Sequence, residues 1–212
     1  MSDTIDADSG EKRAETVRRR LYRTVEEAGD EPAERIAERL LAVGVDHLDV
    51  TNGHVERIVD GGASHEVVVS VDVGTDPVVE AGTTLDAART FCRHTLERDT
   101  SLAISNAPAD GYADDPALAA TGVECYLGAS IVLEGEPYGT VCFTAREGTD
   151  SFSPTERAVV ELIARLLERV LRTEAFREEL SARERTLAER EAELERSERK
   201  YETLVDAAPN PI

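Results

Sequence analysis

Apolar positions along this chain switch between a four-residue and a two-residue spacing, and the switches mark out its elements. Val17, Leu21 and Val25 recur every four residues, one face of a helix expected over 11–28. The ten residues before it are polar and acidic and are expected to be disordered. Gly29-Asp30-Glu31-Pro32 breaks this helix; Asp30 can cap the next, and a proline is tolerated in its first turn. The second helix carries Ile36, Ala37, Leu40 and Leu41 on one stripe and is expected to stop at Gly44. Strands are then predicted over 45–50 and 54–59, with Thr51-Asn52-Gly53 as the turn between them. After Asp60-Gly61-Gly62, the residues Val67, Val69, Val71 and Val73 alternate with Val68, Ser70 and Asp72, the pattern of a half-buried strand.

The four-residue spacing returns at Leu85, Ala88, Cys92 and Thr95 or Leu96, which predicts a helix from Thr83 or Thr84 to Arg98. A short strand over 102–105 follows, then a loop over 109–122 with one helical turn after Pro116. A hairpin comes next, with Glu134-Gly135-Glu136 as its turn, and a helix begins at Pro154 and runs to about Leu204. Strands joined by tight links are antiparallel neighbours. The expected class is therefore α+β: an antiparallel sheet flanked by helices, with a long C-terminal coiled-coil helix.

The two faces of the hairpin differ. Leu127, Ala129, Ile131 and Leu133 share one face with Val141 and Phe143, and this face is expected to pack on helices. The other holds Tyr126, Gly128, Ser130 and Val132, then Tyr138, Thr140, Cys142 and Thr144. Hydroxyls, a thiol and ring edges beside a small residue suit a small-molecule pocket, roofed by the 85–98 helix and the 109–122 loop. Tyr126, Ser130, Thr140 and Cys142 are the candidate ligand-binding residues, with Phe91 as a roof. The same face covered by loops with nothing bound is the alternative.

Charge narrows the partners. The chain has 44 acidic against 24 basic residues, for a formal net charge of −20. Such a surface repels nucleic acid and anionic lipid, so no nucleic-acid or membrane partner is expected. Only Lys12 and Lys200 are lysines. A dispersed acid excess with so few lysines reads as adaptation to a salty cytoplasm, where salt screens self-repulsion. The opening residues form no signal peptide and no apolar run spans a bilayer, so a cytoplasmic location is expected. Cys92, Cys125 and Cys142 have no metal-type spacing and are expected as free thiols.

The runs TFCRHTLE (Thr90 to Glu97), LAISNAPADGYADDPAL (Leu102 to Leu118), CYLGASIVLEGEPYGTVCF (Cys125 to Phe143) and FSPTE (Phe152 to Glu156) together resemble a GAF domain. The subtype is that of multidomain archaeal and bacterial sensors, and the acid excess fits a haloarchaeal type. The resemblance covers roughly 32–172. It implies a six-stranded antiparallel sheet, with the first and last helices on one face and a ligand pocket on the other. It also implies regulatory use ahead of a histidine kinase or transcriptional regulator. The run from Lys200 to Ile212 resembles the opening of a PAS domain. The expected organisation is a disordered segment and helix over 1–30, the GAF-like domain over 31–172, a signalling coiled coil over 173–199 and the start of a PAS domain over 200–212.

Sharper chemistry finds little support in the residues. A cyclic-nucleotide site of this family would carry an Asn-Lys pair, which is missing, and a Phe-x3-Asp-Glu element that Phe152 and Glu156 match only in part. Bilin attachment would need histidine directly after the cysteine, but Arg93 separates Cys92 from His94. Positions two apart on a helix point about 200° from each other, which also speaks against those two sharing a metal. Ser64-His65-Glu66 opens a strand and lacks the helical setting of a kinase phospho-acceptor. No catalytic constellation and no metal ligands are assigned, and the cofactor is unknown.

In the last helix Val159, Leu166, Thr173, Leu180, Leu187, Leu194 and Tyr201 stand seven apart. The companion series runs Ile163 and Val170, then Arg177, Glu184 and Glu191. A sustained seven-residue repeat predicts a two-stranded coiled coil, hence a homodimer. The expected function is a non-enzymatic sensory module. It would bind a small ligand or sense redox state, and relay the change through the dimeric helix to a downstream PAS, kinase or regulator output. The alternatives are a ligand-free dimerisation spacer, or the front part of a sensor kinase or transcriptional regulator.

Overall fold

The computed structural model describes residues 2–74 and 77–206. Its elements are α1 (Ser2–Glu26), α2 (Ala33–Leu48), β1 (Asn52–Val59), β2 (Ser64–Asp72), β3 (Thr84–Asp86), α3 (Cys92–Leu96), β4 (Leu102–Ile104), α4 (Pro116–Thr121), β5 (Cys125–Leu133), β6 (Glu136–Ala145) and α5 (Pro154–Asp206). The six strands form one antiparallel sheet in the order β3-β2-β1-β6-β5-β4. The chain divides into two units, one up to Leu171 and one from Arg172.

One face of the sheet carries the main core. Leu127, Ala129, Ile131, Val141 and Phe143 of the hairpin meet Leu40 and Leu41 of α2, Leu21 of α1 and Ile163 and Leu167 of α5. The apolar hairpin face thus packs on helices as its alternation predicts as far as Ile131; past the register shift there Leu133 leaves this core, and Tyr138, expected on the opposite face, packs against it. Arg13 donates to the carbonyl of His47, and Arg20 pairs with Asp46 at 2.6 Å, which ties α1 to the end of α2. The start of α5 is fixed by a reciprocal cap: Glu156 N–H donates to Ser153 Oγ, and Ser153 N–H donates to the Glu156 carboxylate. Phe152 is buried beside it, so both residues of the partial nucleotide motif serve structure.

Several elements differ from the sequence expectation. α1 begins at Ser2, within the stretch read as disordered. α2 does not stop at Gly44 but continues to Leu48, ending at Asp49 in the left-handed conformation (φ 55°). Gly44 is there for proximity: a Cβ on it would lie 2.4 Å from the Phe143 ring. Residues 45–50 are therefore helix end and connection, and Asn52 and Gly53 belong to β1, not to a turn. The long helix expected over 83–98 is cut short. Thr84–Asp86 pairs with Ser64–Glu66 as an edge strand, and Asp86 accepts from Ala88 N–H to start a 3-10 turn, leaving α3 only Cys92–Leu96.

The second unit is the part of α5 beyond Leu171. Phe176, Leu180, Leu187 and Leu194 are exposed on it. Glu179–Arg183 and Glu195–Arg199 pairs support it as a single helix. Of the segment read as a PAS opening, residues 207–212 lie outside the described residues, as does Met1. Among the described residues no helix is long and apolar enough to cross a membrane.

Candidate functional site

Successive residues of a strand point to opposite faces, so Asn52, His54 and Glu56 of β1 all point away from the helical core. All three are buried. A bulge adds a fourth polar residue. Pairing of β1 with β2 steps from Val55–Val69 to Glu56–Val67 and passes over Val68. The extra residue reverses the facing of β2 from that point, which turns His65 to the side of Glu56. His65 Nδ1 lies 2.9 Å from Glu56 Oε2, and His54 Nε2 lies 3.2 Å from Glu56 Oε1.

The network fixes its own hydrogens. The Ser70 hydroxyl donates to the carbonyl of Val79 at 2.7 Å and so accepts from Asn52 Nδ2 at 3.0 Å. Asn52 Oδ1 is left to accept from Thr144 Oγ1 (3.2 Å) and from His54 Nδ1 (2.6 Å). His54 therefore carries a proton on Nδ1 and presents Nε2 to Glu56. Burial opposes a charged ring at His54 and His65. Hydrogen bonds to Cys92 and Glu56, with the charge of Glu56, overcome it and lift both to about 9. Burial likewise opposes the carboxylate of Glu56, but the two imidazoles hold it at about 2. The centre of the site is a buried carboxylate shared by two histidines.

Beside it stand two thiols. Cys92 opens α3, Cys142 sits in β6, and their sulfurs are 3.2 Å apart. The Tyr126 hydroxyl touches Cys142 Sγ at 3.3 Å and bonds Thr95 Oγ1 at 2.7 Å. Burial, then the contact with Cys142, push the Cys92 thiol well up. Cys125 is buried in the other core and is not part of this group.

A cavity of about 410 Å³ opens on this floor, lined by His54, Glu56, Phe91, Cys92, Tyr126 and Thr144 among others. The segment 77–83, α3 and the end of α4 close its sides. The roof is clamped by Asp115. Its Oδ2 accepts from Arg93 (2.5 Å) and His94 (2.9 Å) of α3, while its Oδ1 accepts from Ala117 N–H at the start of α4. Burial raises the Asp115 carboxyl, but these donors prevail and hold it at about 2.

The five residues predicted from sequence fall into three places. Phe91 and Tyr126 line the cavity, their rings 5.6 Å apart. Thr140 and Cys142 are buried, with Thr140 Oγ1 3.2 Å from Cys142 Sγ. Ser130 borders a separate cleft of about 360 Å³ and donates to the Thr95 carbonyl. Sequence reasoning missed Asn52, His54, Glu56 and His65. The first three carried a signal, polar side chains at i, i+2 and i+4 of a strand, which assigning Asn52 to a turn concealed.

The sheet order, with helices on one face and a roofed cavity on the other, is a known arrangement. The family model described as GAF domain matches residues 32–171. The chain belongs to the GAF domain family. Among solved structures, the GAF domain of a phosphoenolpyruvate-protein phosphotransferase from Coxiella burnetii is 17% identical, over 76% of this chain and 96% of that one, at a TM-score of 0.59. The phycoerythrobilin-bound GAF domain of a cyanobacterial phytochrome is 16% identical, over 74% and 94%, at 0.59. Free methionine-R-sulfoxide reductase from Neisseria meningitidis, solved in complex with its substrate, is 13% identical, over 74% and 89%, at 0.59. At such identities the likeness is one of fold. Comparison with curated proteins gives no match. A general sensory or regulatory role is consistent with membership of this family.

Proposed function

We propose that this GAF domain is a sensory module that takes a small ligand into the cavity over His54, Glu56 and Tyr126, and relays occupancy along α5. The observation that carries this reading is the cavity itself. Its volume of about 410 Å³ falls in the range of small-molecule sites, and its floor offers charged and hydroxyl groups that fix a ligand's orientation. Ligand binding is favoured over thiol redox sensing. The reactive form of a cysteine is the thiolate, and burial keeps Cys92 as a thiol.

The relay rests on the exposed Leu180, Leu187 and Leu194, which repeat every seven residues. A second copy in parallel register would cover them, leucine against leucine. Occupancy of the cavity would then bias the rotation or register of the paired helices. The receiving module would be a PAS domain, a kinase or a transcriptional regulator. A native mass spectrum of protein from its own organism is expected to show a retained small molecule; a ligand-free spectrum in every preparation overturns the reading in favour of a structural spacer. Single cysteines at Leu180 and Leu187 are expected to crosslink faster with ligand bound or with ligand removed, but not equally. Equal yields in both states, and equal yields all round the helix, count against the relay.

A further inference from the structure

We infer that the floor of the cavity is a transition-metal site, in which Cys92, Cys142 and His54 are ligands and a water from the cavity is the fourth. Two sets of three potential ligand atoms meet there: His54, Cys92 and Cys142, and Glu56, His65 and Cys92. Within each set the atoms lie within 4.8 Å of one another, every residue is buried, and Cys92 belongs to both. The ligands come from two strands and a helix, β1, β6 and α3, so no sequence spacing announces them.

The chemistry of this donor set is specific. Two thiolates with an imidazole and a water suit zinc, or another divalent ion of similar softness, in tetrahedral geometry. Zinc–thiolate bonds of about 2.3 Å place two sulfurs about 3.8 Å apart. Cys92 and Cys142, now at 3.2 Å, need to part by only about half an ångström. The surroundings are those of a held ligand. A metal-bound histidine nearly always donates its second nitrogen to an oxygen that fixes its orientation. His54 does so through Nδ1 to Asn52 Oδ1, and the Asn52 amide is itself fixed by Ser70 and Val71. Glu56, beside His54 Nε2, is in turn fixed by His65 at its other oxygen. Hydroxyls of Tyr126 and Thr140 contact the Cys142 sulfur. The metal enters through the cavity that His54, Glu56 and Cys92 line, and as it binds the two thiol protons and the Nε2 proton of the His54 ring leave to solvent.

The site lies in the cavity of the proposed sensory function but does not depend on the relay. The test uses the full chain, purified under reducing conditions, stripped with a chelator and titrated anaerobically with Co²⁺. One cobalt per chain is expected, with the strong ligand-field bands of a tetrahedral ion and a sulfur-to-cobalt charge-transfer band, both erased by Zn²⁺. Cys92→Ser and Cys142→Ser should each lose the charge-transfer intensity of one sulfur and weaken binding at least ~10-fold, while Cys125→Ala changes neither. Asn52→Ala should weaken binding by ~10-fold with the spectrum kept. A weak octahedral spectrum, binding indifferent to both serine variants, or a Cys92–Cys142 disulfide persisting in reductant overturns the inference. Should the serine variants fail to fold, calorimetry of the wild type in two buffers decides. Release of about three protons per Zn²⁺, two from the thiols and one from the His54 ring, supports the thiolate site, and release of one or none overturns it. A bound metal without change in crosslinking along α5 upholds this site and sinks the relay. A retained organic ligand with no metal affinity does the reverse.

Discussion

Glu56 is the residue on which the sheet's buried polar face turns. It is 2% exposed and is the common partner of two imidazoles. Removing one member of a buried charged group leaves the others without compensation, at about 3–5 kcal/mol. In metal-free protein Glu56→Ala is expected to lose that much in urea unfolding, and Glu56→Gln clearly less, because the amide oxygen still accepts from one ring. Equal losses would mean that the carboxylate's charge has no part in holding the histidines. The sequence displayed half of this group. Asn52, His54 and Glu56 follow the strand period, and three polar side chains on one face ask to be explained. His65 could not be placed, because unbroken alternation from Val67 to Val73 assigns it to the helix side. A one-residue bulge at Val68 is invisible to a period-two pattern and reverses every side chain before it. Tyr126, Thr140 and Cys142 lie on the face expected of them because β5 and β6 pair without interruption from Cys125 to Ile131.

Among elements, those with strong local patterns were legible, and those set by contacts distant in sequence were not. The hairpin declares itself through alternation, and the α5 start through Pro154. The end of α2 does not, since a glycine after an apolar stripe reads as a stop, and only the Phe143 ring shows why it continues. Exchange of a helical glycine for alanine normally stabilises by about 1 kcal/mol. At Gly44 the added Cβ would meet Phe143 at 2.4 Å, and overpacking a core costs about 1–3 kcal/mol. Gly44→Ala is therefore expected to lower the thermal midpoint, and a rise would show that α2 is free to lift from the sheet. The α3–α4 roof makes a pH prediction. Asp115 has a folded pKa of about 2 against an ordinary 3.8. A depressed carboxyl lends stability that is present above the ordinary value and lost as pH falls through the folded one. Unfolding free energy should thus drop by about 2 kcal/mol more between pH 4 and pH 2 in the wild type than in Asp115→Asn. Parallel pH curves for the two proteins would remove the clamp from the energetics of the roof.

At the scale of the whole molecule, the acid excess and the heptad repeat make one joint prediction. A net charge of −20 on each copy opposes self-association. Along the stripe proposed to pair, the leucines at 180, 187 and 194 alternate with Arg177, Glu184 and Glu191, whose like charges would face each other in a parallel dimer. The apolar gain does not weaken with salt, but the repulsion does. The Debye length falls from about 10 Å at 0.1 M to about 3 Å at 1 M, shorter than the spacing of most surface charges. Sedimentation at multimolar KCl is thus expected to find dimers, and dilution into low salt to shift the same protein toward monomer. Leu187→Glu should abolish the dimer in high salt while leaving the thermal midpoint of the GAF domain in place. Glu184→Leu with Glu191→Leu should do the opposite and hold the dimer together at low salt. Monomers at every protein and salt concentration, with these variants behaving like the wild type, would leave the exposed leucines without a partner copy and the cavity without a route for its signal.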